Sequence, residues 1–187
     1  MFRLIAVFML VMLAPSAVWA GSFALDFNNE SAQFDYVQLL NREAYGESDA
    51  RLRLLYNEDT DTFLGTVGAG VKGTPGNIPG LETGVQITIN GSDTNDEEML
   101  AIGVGLQIDY APPVLQGFGM MAGVHYAPKV FSFFDSERYL ETGAGIYFAF
   151  MPHANLTLSY QNILIDFEDN NNVRVDDSLR IGVKLEF

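Results

Sequence analysis

The chain has 187 residues, 48% of them hydrophobic, with 18 glycines and no cysteine. This length predicts one domain, and the high apolar content excludes an intrinsically disordered protein. Ten basic residues against 24 acidic ones give a formal charge of −14. This charge excludes a nucleic-acid binder, because the chain would repel phosphate. The lack of cysteine excludes zinc fingers, disulfide scaffolds and redox pairs.

The N-terminal segment has the three parts of a secretory signal peptide. Arg3 is basic, residues 4–13 form an apolar run, and Val18-Trp19-Ala20 places small side chains where a signal peptidase cleaves. The alternative is a membrane anchor, but this run is too short to span a hydrocarbon core of about 30 Å. We therefore predict a cleaved signal peptide over residues 1–20 and a mature domain over residues 21–187.

Apolar and polar residues alternate along much of the mature chain. Alternation with a period of two predicts strands that have one apolar and one polar face. Ile102 and Val104 lie on one such face, for example, and Gly103 and Gly105 on the other. Ten strands are predicted, over residues 22–28, 31–39, 50–57, 62–72, 80–90, 98–111, 115–127, 138–151, 154–166 and 173–187. The first two are short and either complete the wall or lie inside it, so eight strands is the fallback.

The polar faces of these strands consist mainly of glycine and small polar residues. In a soluble β-sandwich the apolar faces pack on a second sheet, whereas in a membrane barrel they face lipid and the polar faces line the interior. Small side chains suit the crowded interior of a narrow barrel, and lipid requires a sheet without open edges. The pattern therefore predicts an all-β protein that forms a transmembrane antiparallel up-and-down β-barrel.

The connections between strands indicate an orientation. With the C-terminus in the periplasm, the turns at residues 151–154 and 111–113 are periplasmic. The opposite connections are mostly longer and acidic, as extracellular loops tend to be. They are residues 57–61, 91–98, 127–138 and 166–177. The periplasmic connections at 40–49 and 73–79 are longer than this rule predicts.

The last strand ends on an aromatic residue and has apolar residues at alternate positions. These are Leu179, Ile181, Val183, Leu185 and Phe187. The pattern resembles the C-terminal insertion signal of bacterial outer-membrane proteins, and the alternative is a periplasmic β-sandwich that ends this way by chance. We therefore predict a protein of the bacterial outer membrane, with the barrel-assembly machinery as a partner during insertion.

The predicted interior carries charged residues whose charges nearly balance. They are Asp26, Asp35, Arg51, Arg53, Lys72, Glu82, Asp109, Glu141, Arg180, Lys184 and Glu186. Buried charges need partners, so this set predicts a salt-bridged plug that fills the lumen. The alternative is a polar path for ions or small solutes. A barrel of about eight to ten strands has room for side chains and one small ligand, whereas aqueous channels need about 16 strands, which favours the plug.

Several segments resemble the YfaZ family of outer-membrane proteins. The most specific similarity lies in the block from His125 to Glu141, and the other similar segments are Leu25–Ala32, Tyr56–Asp59 and Ile181–Phe187. Together they cover nearly the whole mature chain. The resemblance implies a small Gram-negative outer-membrane barrel. It implies no established activity and therefore supplies no catalytic residues.

A histidine near a serine and an acid is the one pattern that suggests catalysis. His125 is close in sequence to Ser132, Asp135 and Glu137, so a Ser–His–acid group is conceivable. No nucleophile motif accompanies it, and such common residues fall near one another by chance. The second histidine, His153, lies in a predicted turn and is expected to be solvated. We therefore predict no enzymatic activity, no catalytic residue and no cofactor.

The predicted extracellular loops carry acidic and aromatic groups. Phe131, Phe133 and Phe134 are expected to anchor at the lipid interface, with docking of a partner or a lid over the lumen as alternatives. The acidic residues are expected to be solvated; the alternative is that they share divalent cations with lipopolysaccharide phosphates. Their spacing does not match an EF-hand loop, so no metal site is predicted. They include Asp93, Asp96, Glu97, Glu98, Glu168, Asp169, Asp176 and Asp177.

These observations predict a monomeric outer-membrane barrel with a structural or interaction role and a charge-paired, mostly plugged lumen. The first alternative is a narrow channel or small-solute transporter that uses the polar lumen. The second is a lipid-acting barrel enzyme centred on His125. The expected partners are outer-membrane lipid and lipopolysaccharide, and no nucleic acid.

Overall fold

The computed structural model describes residues 20–43, 46–76, 78–94, 97–167 and 172–187. The described residues form eleven β-strands and two three-residue 3-10 turns. The strands are β1 (Gly21–Phe27), β2 (Ser31–Glu43), β3 (Gly46–Asn57), β4 (Thr62–Gly73), β5 (Leu81–Thr94), β6 (Glu97–Tyr110), β7 (Phe118–Ala127), β8 (Ser132–Phe134), β9 (Ser136–Met151), β10 (Ala154–Phe167) and β11 (Asn172–Glu186). Apart from Ala20, the predicted signal peptide lies outside the described residues. Within the described part of the chain, no helix has the length and apolar character needed to cross a membrane.

Ten of the described strands form a closed antiparallel barrel. They pair in the order β5-β4-β3-β2-β1-β11-β10-β9-β7-β6, and the pairing of β5 with β6 closes the ring. The short β8 pairs with β6 beyond the end of β7, so it extends the position of β7 in the wall. Closure removes open sheet edges, as lipid requires. The predicted all-β barrel of ten strands is confirmed.

The first hairpin is part of the wall. β1 pairs with β2 on one side and with β11 on the other, so an internal hairpin is excluded. Phe187 and Gly21 exchange two backbone hydrogen bonds of 2.9 Å each. Gly21 and Phe187 therefore lie at the same end of the barrel, which we call the terminal end. The opposite end is called the far end.

The outer surface of the barrel is apolar. Ile87 and Ile89 on β5 are exposed, whereas Gln86 and Thr88, which alternate with them, are buried inside. The same alternation is present on the other long strands. A barrel with an exposed apolar surface and a polar interior is the arrangement expected in lipid. The faces are those that the sequence pattern predicts.

Several strands are longer than the sequence pattern predicts. β2 and β3 remain paired through most of the predicted connection 40–49, and β5 and β6 through most of 91–98. The predicted loop 166–177 is also mostly strand, because β10 ends at Phe167 and β11 begins at Asn172. The expectation that far-end connections are mostly longer is therefore wrong. Backbone pairing does not require alternating side chains, so strands continue where the pattern has no signal.

β7 begins three residues later than predicted, at Phe118. Pro113–Leu115 forms a 3-10 turn, and the two residues after it, Gln116 and Gly117, have φ values of 42° and 99°. These values lie in the left-handed region, which a strand does not adopt. The chain therefore completes this turn before it enters the wall.

Candidate functional site

Apolar side chains fill the lumen at the far end. They are Leu55, Leu64, Met99, Ala101, Ala127, Tyr139, Ile163, Ile165, Phe167 and Val175, each at most 3% exposed. We call them the far-end cluster. Their positions are inward-facing and close to the far ends of their strands; Leu55, for example, lies two residues before the end of β3. Close-packed side chains of this kind leave no space for a column of water.

The sequence interpretation missed the far-end cluster, although a signal was present. On β10 the inward positions continue from Gln161 to Ile163, Ile165 and Phe167, and all four are buried. The period-two count that places Gln161 inside therefore places the other three inside as well. A water-filled lumen is lined by polar side chains, so apolar residues at inward positions indicate a lumen filled by packed side chains.

An ion pair crosses the lumen next to the far-end cluster. Arg53 on β3 contacts both carboxylate oxygens of Glu141 on β9, with 2.8 Å between Nη2 and Oε2. Five steps around the ring of ten strands separate β3 from β9, so the pair joins opposite walls. Arg53 also donates to the hydroxyls of Thr66 and Tyr139 at 3.1 Å, and Tyr139 donates to Glu141 at 2.6 Å. Arg53 is 5% exposed, and this many partners is what a buried charge needs.

A second buried ion pair lies within β11 and contacts β2. Arg180 donates from Nε to Asp176 at 2.7 Å and from Nη2 to the Ser31 hydroxyl at 2.8 Å. The prediction that Asp176 is a solvated loop residue is therefore wrong. The pairing of β10 with β11 shifts register after Ile163, and both Val175 and Asp176 are buried there. An irregularity of this kind changes which side chains face inward, and a period-two count cannot anticipate it.

A cavity of about 350 Å³ extends from these ion pairs toward the terminal end. We call it the lumenal cavity. Ten of the eleven charged residues predicted for the lumen line it: Asp26, Asp35, Arg51, Arg53, Lys72, Glu82, Asp109, Glu141, Arg180 and Lys184. The eleventh, Glu186, is half-exposed at the terminal end, 2.9 Å from the Lys184 ammonium group.

Two charged groups that line the cavity nearer the terminal end are held more loosely than Arg53. The Lys72 ammonium group lies 3.3 Å from Glu47 and 3.5 Å from Glu82. Nε of Arg51 lies 3.8 Å from Asp35, which is beyond hydrogen-bond distance. The interior therefore contains loosely paired charges as well as tightly bonded ones.

Glycines on the inner wall make room for neighbouring rings. A Cβ atom on Gly119 would overlap the ring of Tyr147 on β9, and one on Gly105 would overlap the ring of His125 on β7. The Tyr147 hydroxyl donates to Asp109 at 2.7 Å. These glycines let large side chains lie flat against the wall, so they fill the lumen rather than widen it.

The candidate catalytic residues do not form a triad. The partners of His125 and Ser132 on β6 are four residues apart, which separates the two backbones by roughly 13 Å. The Asp135 carboxylate accepts a hydrogen bond from the backbone N–H of Glu98, and the Glu137 carboxylate forms an ion pair with Lys129. The carboxylate nearest to His125 is that of Glu141, 3.8 Å from Nδ1. A nucleophile and its base need to lie about 3 Å apart, so this arrangement does not activate Ser132.

The far-end connection between β7 and β9 carries the predicted aromatic cluster. Phe131, Phe133 and Phe134 are exposed there. Phe133 pairs with Leu100, an outward position of β6, so it extends the apolar outer surface toward the far end. Its position is compatible with the predicted lipid anchor.

The acidic residues predicted for the extracellular loops do not gather into one site. Asp93, Glu97, Glu98 and Asp177 lie on strands at the far end, whereas Asp96, Glu168 and Asp169 fall outside the described residues. Among the residues whose placement is described, no three acidic or histidine side chains are close enough together to hold a metal ion. His153 is exposed in the turn between β9 and β10.

The five residues of the predicted insertion signal lie on or directly after β11. Leu179, Ile181 and Phe187 are exposed on the outside of the barrel. The Phe187 ring lies 6.5 Å from that of Phe23 on β1. The signal residues therefore flank the seam at which the first and last strands meet.

Comparisons with known proteins agree with this architecture. The chain matches the family described as YfaZ precursor over residues 1–187. No curated protein matches it. A solved structure described as KdgM porin in complex with disordered oligogalacturonate has a TM-score of 0.50 and 9% identity, over 90% of this chain and 99% of that one.

Two further solved structures resemble the chain less closely. A bacterial polysaccharide outer membrane secretin has a TM-score of 0.49 and 10% identity, over 89% of this chain and 68% of that one. The outer membrane channel DcaP of Acinetobacter baumannii has a TM-score of 0.47 and 12% identity, over 88% of this chain and 54% of that one.

The similarity to the KdgM porin shows a common fold and nothing more, because the identity is so low. The family match covers the entire chain, and the fold is a closed barrel with an apolar outer surface. The protein is an exported outer-membrane barrel, as the sequence predicts. The chain belongs to the YfaZ family.

Proposed function

We propose that the protein is a small outer-membrane barrel with a structural or interaction role, and that its lumen does not conduct ions. The observation that carries this proposal is the ion pair between Arg53 and Glu141, which joins opposite walls next to the far-end cluster. A path through the barrel would have to break this pair and displace the apolar side chains beside it. Both changes cost free energy because they expose buried groups.

The proposed partners follow from the two surfaces of the barrel. The apolar outer face would contact membrane lipid, and the acidic far end would face lipopolysaccharide if the terminal end lies in the periplasm. The exposed signal on β11 would be read by the barrel-assembly machinery during insertion. We propose a monomer, because the described strands already close into a ring without a second chain.

The experiment that tests this proposal is single-channel conductance of the purified mature protein in a planar bilayer. We expect no steady openings from a barrel whose folding has been verified by circular dichroism. Steady openings whose ion selectivity changes in a Lys184→Gln variant would contradict the proposal, because Lys184 lines the lumenal cavity. An Arg174→Gln variant is the matched control, since Arg174 is exposed at the far end and does not line the cavity.

A narrow channel or small-solute transporter is the second candidate. The lumenal cavity favours it, because it is lined by charged side chains over much of the barrel height. This function would require the far-end cluster to move aside during transport. Steady openings that carry one class of ion would support this candidate over the first.

We propose no enzymatic activity. The separation of His125 from Ser132 supports this proposal. Hydrolysis of outer-membrane phospholipid or lipopolysaccharide by the purified protein tests it. Activity that disappears in a His125→Ala variant would contradict the proposal.

A further inference from the structure

The lumenal cavity continues toward the terminal end. A second cavity of about 740 Å³ lies at the rim there; it is lined by strand ends that include Gly46 and Gly73, and also by the outward-facing Val85 and Leu106, so it opens over the outer wall. The two cavities share Lys72, Gly84 and Gln107 in their linings. Because the far-end cluster fills the other end, the lumen is a receptacle with its entrance at the terminal end. A cavity of this volume accommodates one small molecule, as the interiors of other narrow barrels do.

Two buried nitrogen atoms on the cavity lining have no hydrogen-bond partner among the described residues. They are Nε of Arg53 and Nε2 of His125. Arg53 is 5% exposed and His125 is 9% exposed, and both side chains line the cavity. An arginine Nε always carries a hydrogen, and a buried donor without an acceptor is costly. Both nitrogens are covered by neighbouring atoms, so the accessible donor in this part of the cavity is the loosely paired Arg51.

The inward side chains of β3 change character along the barrel. From the terminal end toward the far end they are Asp49, Arg51, Arg53 and Leu55. Successive inward positions on a strand are roughly 6.6 Å apart. A molecule that enters from the terminal end therefore meets a carboxylate, then two guanidinium groups, and then the far-end cluster. Arg51 is only loosely paired, with its Nε 3.8 Å from Asp35.

We propose that the lumenal cavity binds a small zwitterionic solute of the amino-acid class, which enters from the terminal end with its carboxylate first. The carboxylate would accept hydrogen bonds from the Arg51 guanidinium group. The ammonium group would lie toward the entrance, near Asp49.

The charge of the cavity favours a molecule that carries both signs. Six carboxylates and five basic side chains line it, so a neutral zwitterion leaves their balance unchanged. A carboxylate without an ammonium group adds a negative charge among six acids. An ammonium group without a carboxylate offers no acceptor to Arg51. The proposal rests on the closed far end argued above, but binding and conductance are measured separately.

Isothermal titration calorimetry on the protein purified in detergent from outer membranes tests the proposal. The probes are alanine, propionate, ethylammonium and glucose, of which alanine carries both charges, the next two carry one each, and glucose carries neither. We expect alanine to bind at least about tenfold more tightly than any other probe, because it alone pairs both ends of the site. A folded barrel that does not bind alanine, or that binds another probe equally well, overturns the proposal.

Substitutions on β3 locate the site. Arg51→Gln is expected to weaken alanine binding by about tenfold or more, because it removes a charge-assisted hydrogen bond. Arg51→Lys is expected to retain part of the affinity, and Asp49→Asn is expected to weaken it. Arg174→Gln is the control that leaves the affinity unchanged, since Arg174 is exposed at the far end. Unaltered alanine binding by a folded Arg51→Gln variant overturns the proposal.

The proposed binding site and the proposed closed lumen are tested by different experiments. A barrel that conducts ions yet binds alanine, with the expected effect of Arg51→Gln, contradicts the closed lumen and supports the site. A silent barrel that binds no alanine overturns the site and leaves the closed lumen supported.

Discussion

At the scale of single residues, the lumen is held together by partners that are distant in sequence. Arg53 and Glu141 are 88 positions apart, and Arg180 and Ser31 are 149 positions apart. The period-two pattern places Arg53, Glu141 and Arg180 on inner faces, and all three line the lumenal cavity. It does not identify their partners, because contact across the lumen depends on the number of strands and on their stagger.

The Arg53–Glu141 pair yields the first prediction. Glu141→Gln should lower the free energy of unfolding by about 3–5 kcal/mol, because it leaves the Arg53 charge buried without its counter-charge. Urea unfolding in detergent micelles, followed by circular dichroism, measures this change.

Two further variants make this prediction specific. Replacing both partners, with Arg53→Met and Glu141→Leu, should recover most of the lost stability because no unpaired charge remains. Arg42→Gln should have little effect, since the Arg42 side chain is exposed at the rim, where water screens its pairing with Glu47. A loss of similar size for Arg42→Gln and Glu141→Gln would show that burial does not decide the cost.

At the scale of elements, the strands have the faces predicted from the sequence but not the predicted ends. The outward positions of β5 and β6 are exposed and apolar, as their alternation indicates. Their common end at Thr94 and Glu97 was not predicted, because polar residues there interrupt the pattern while backbone pairing continues. The bulge beside Ile163 was not predicted either, because one extra residue in a strand cannot be recognised from the sequence pattern.

The assignment of the two faces yields the second prediction. Ile102→Arg should lower the free energy of unfolding by roughly 2–4 kcal/mol, because it places a charge on the lipid-facing side near the bilayer midplane. Gln107→Asn on the inner face of the same strand should have a mild effect. Unfolding of both variants in lipid bilayers measures the difference. Equal losses would mean that the faces are assigned the wrong way round.

The C-terminal strand yields the third prediction. Phe187→Ala should reduce the amount of folded barrel in the outer membrane, because Phe187 ends the insertion signal and lies at the seam with Gly21. Phe150→Ala is the matched control, since Phe150 is another exposed aromatic residue near the terminal end. Fractionation and heat-modifiable gel migration report the folded amount. The same yield for both variants would refute a special role for Phe187.

At the scale of the whole molecule, the barrel is closed by packing at one end and open to a charged cavity at the other. The far-end cluster draws residues from β3, β4, β6, β7, β9, β10 and β11. Its members therefore tie most of the ring together, and apolar packing of this kind stabilises a barrel much as a core stabilises a soluble domain. The lumen is therefore packed with side chains at the far end and open at the terminal end.

This description yields the fourth prediction. Leu55→Ala together with Leu64→Ala should destabilise the barrel by about 2–5 kcal/mol for each substitution, because both side chains are fully buried in the far-end cluster. The double variant should also conduct ions, whereas we expect the unchanged protein to be silent. Leu54→Ala, on the outer face of β3, should remain silent in the same bilayer recording. A silent double variant that is shown to be folded would mean that the ion pairs alone close the lumen.

The sequence by itself determined the outer-membrane barrel, the number of strands and the side of the wall on which most residues lie. It could do so because alternation with a period of two is a local property of each strand. Tertiary structure alone decided that Arg53 meets Glu141 across the barrel, that Asp176 is buried, and that ten apolar side chains meet at one level to close the lumen. These contacts join different strands, so they depend on closure, stagger and one bulge, none of which is encoded in a local repeat.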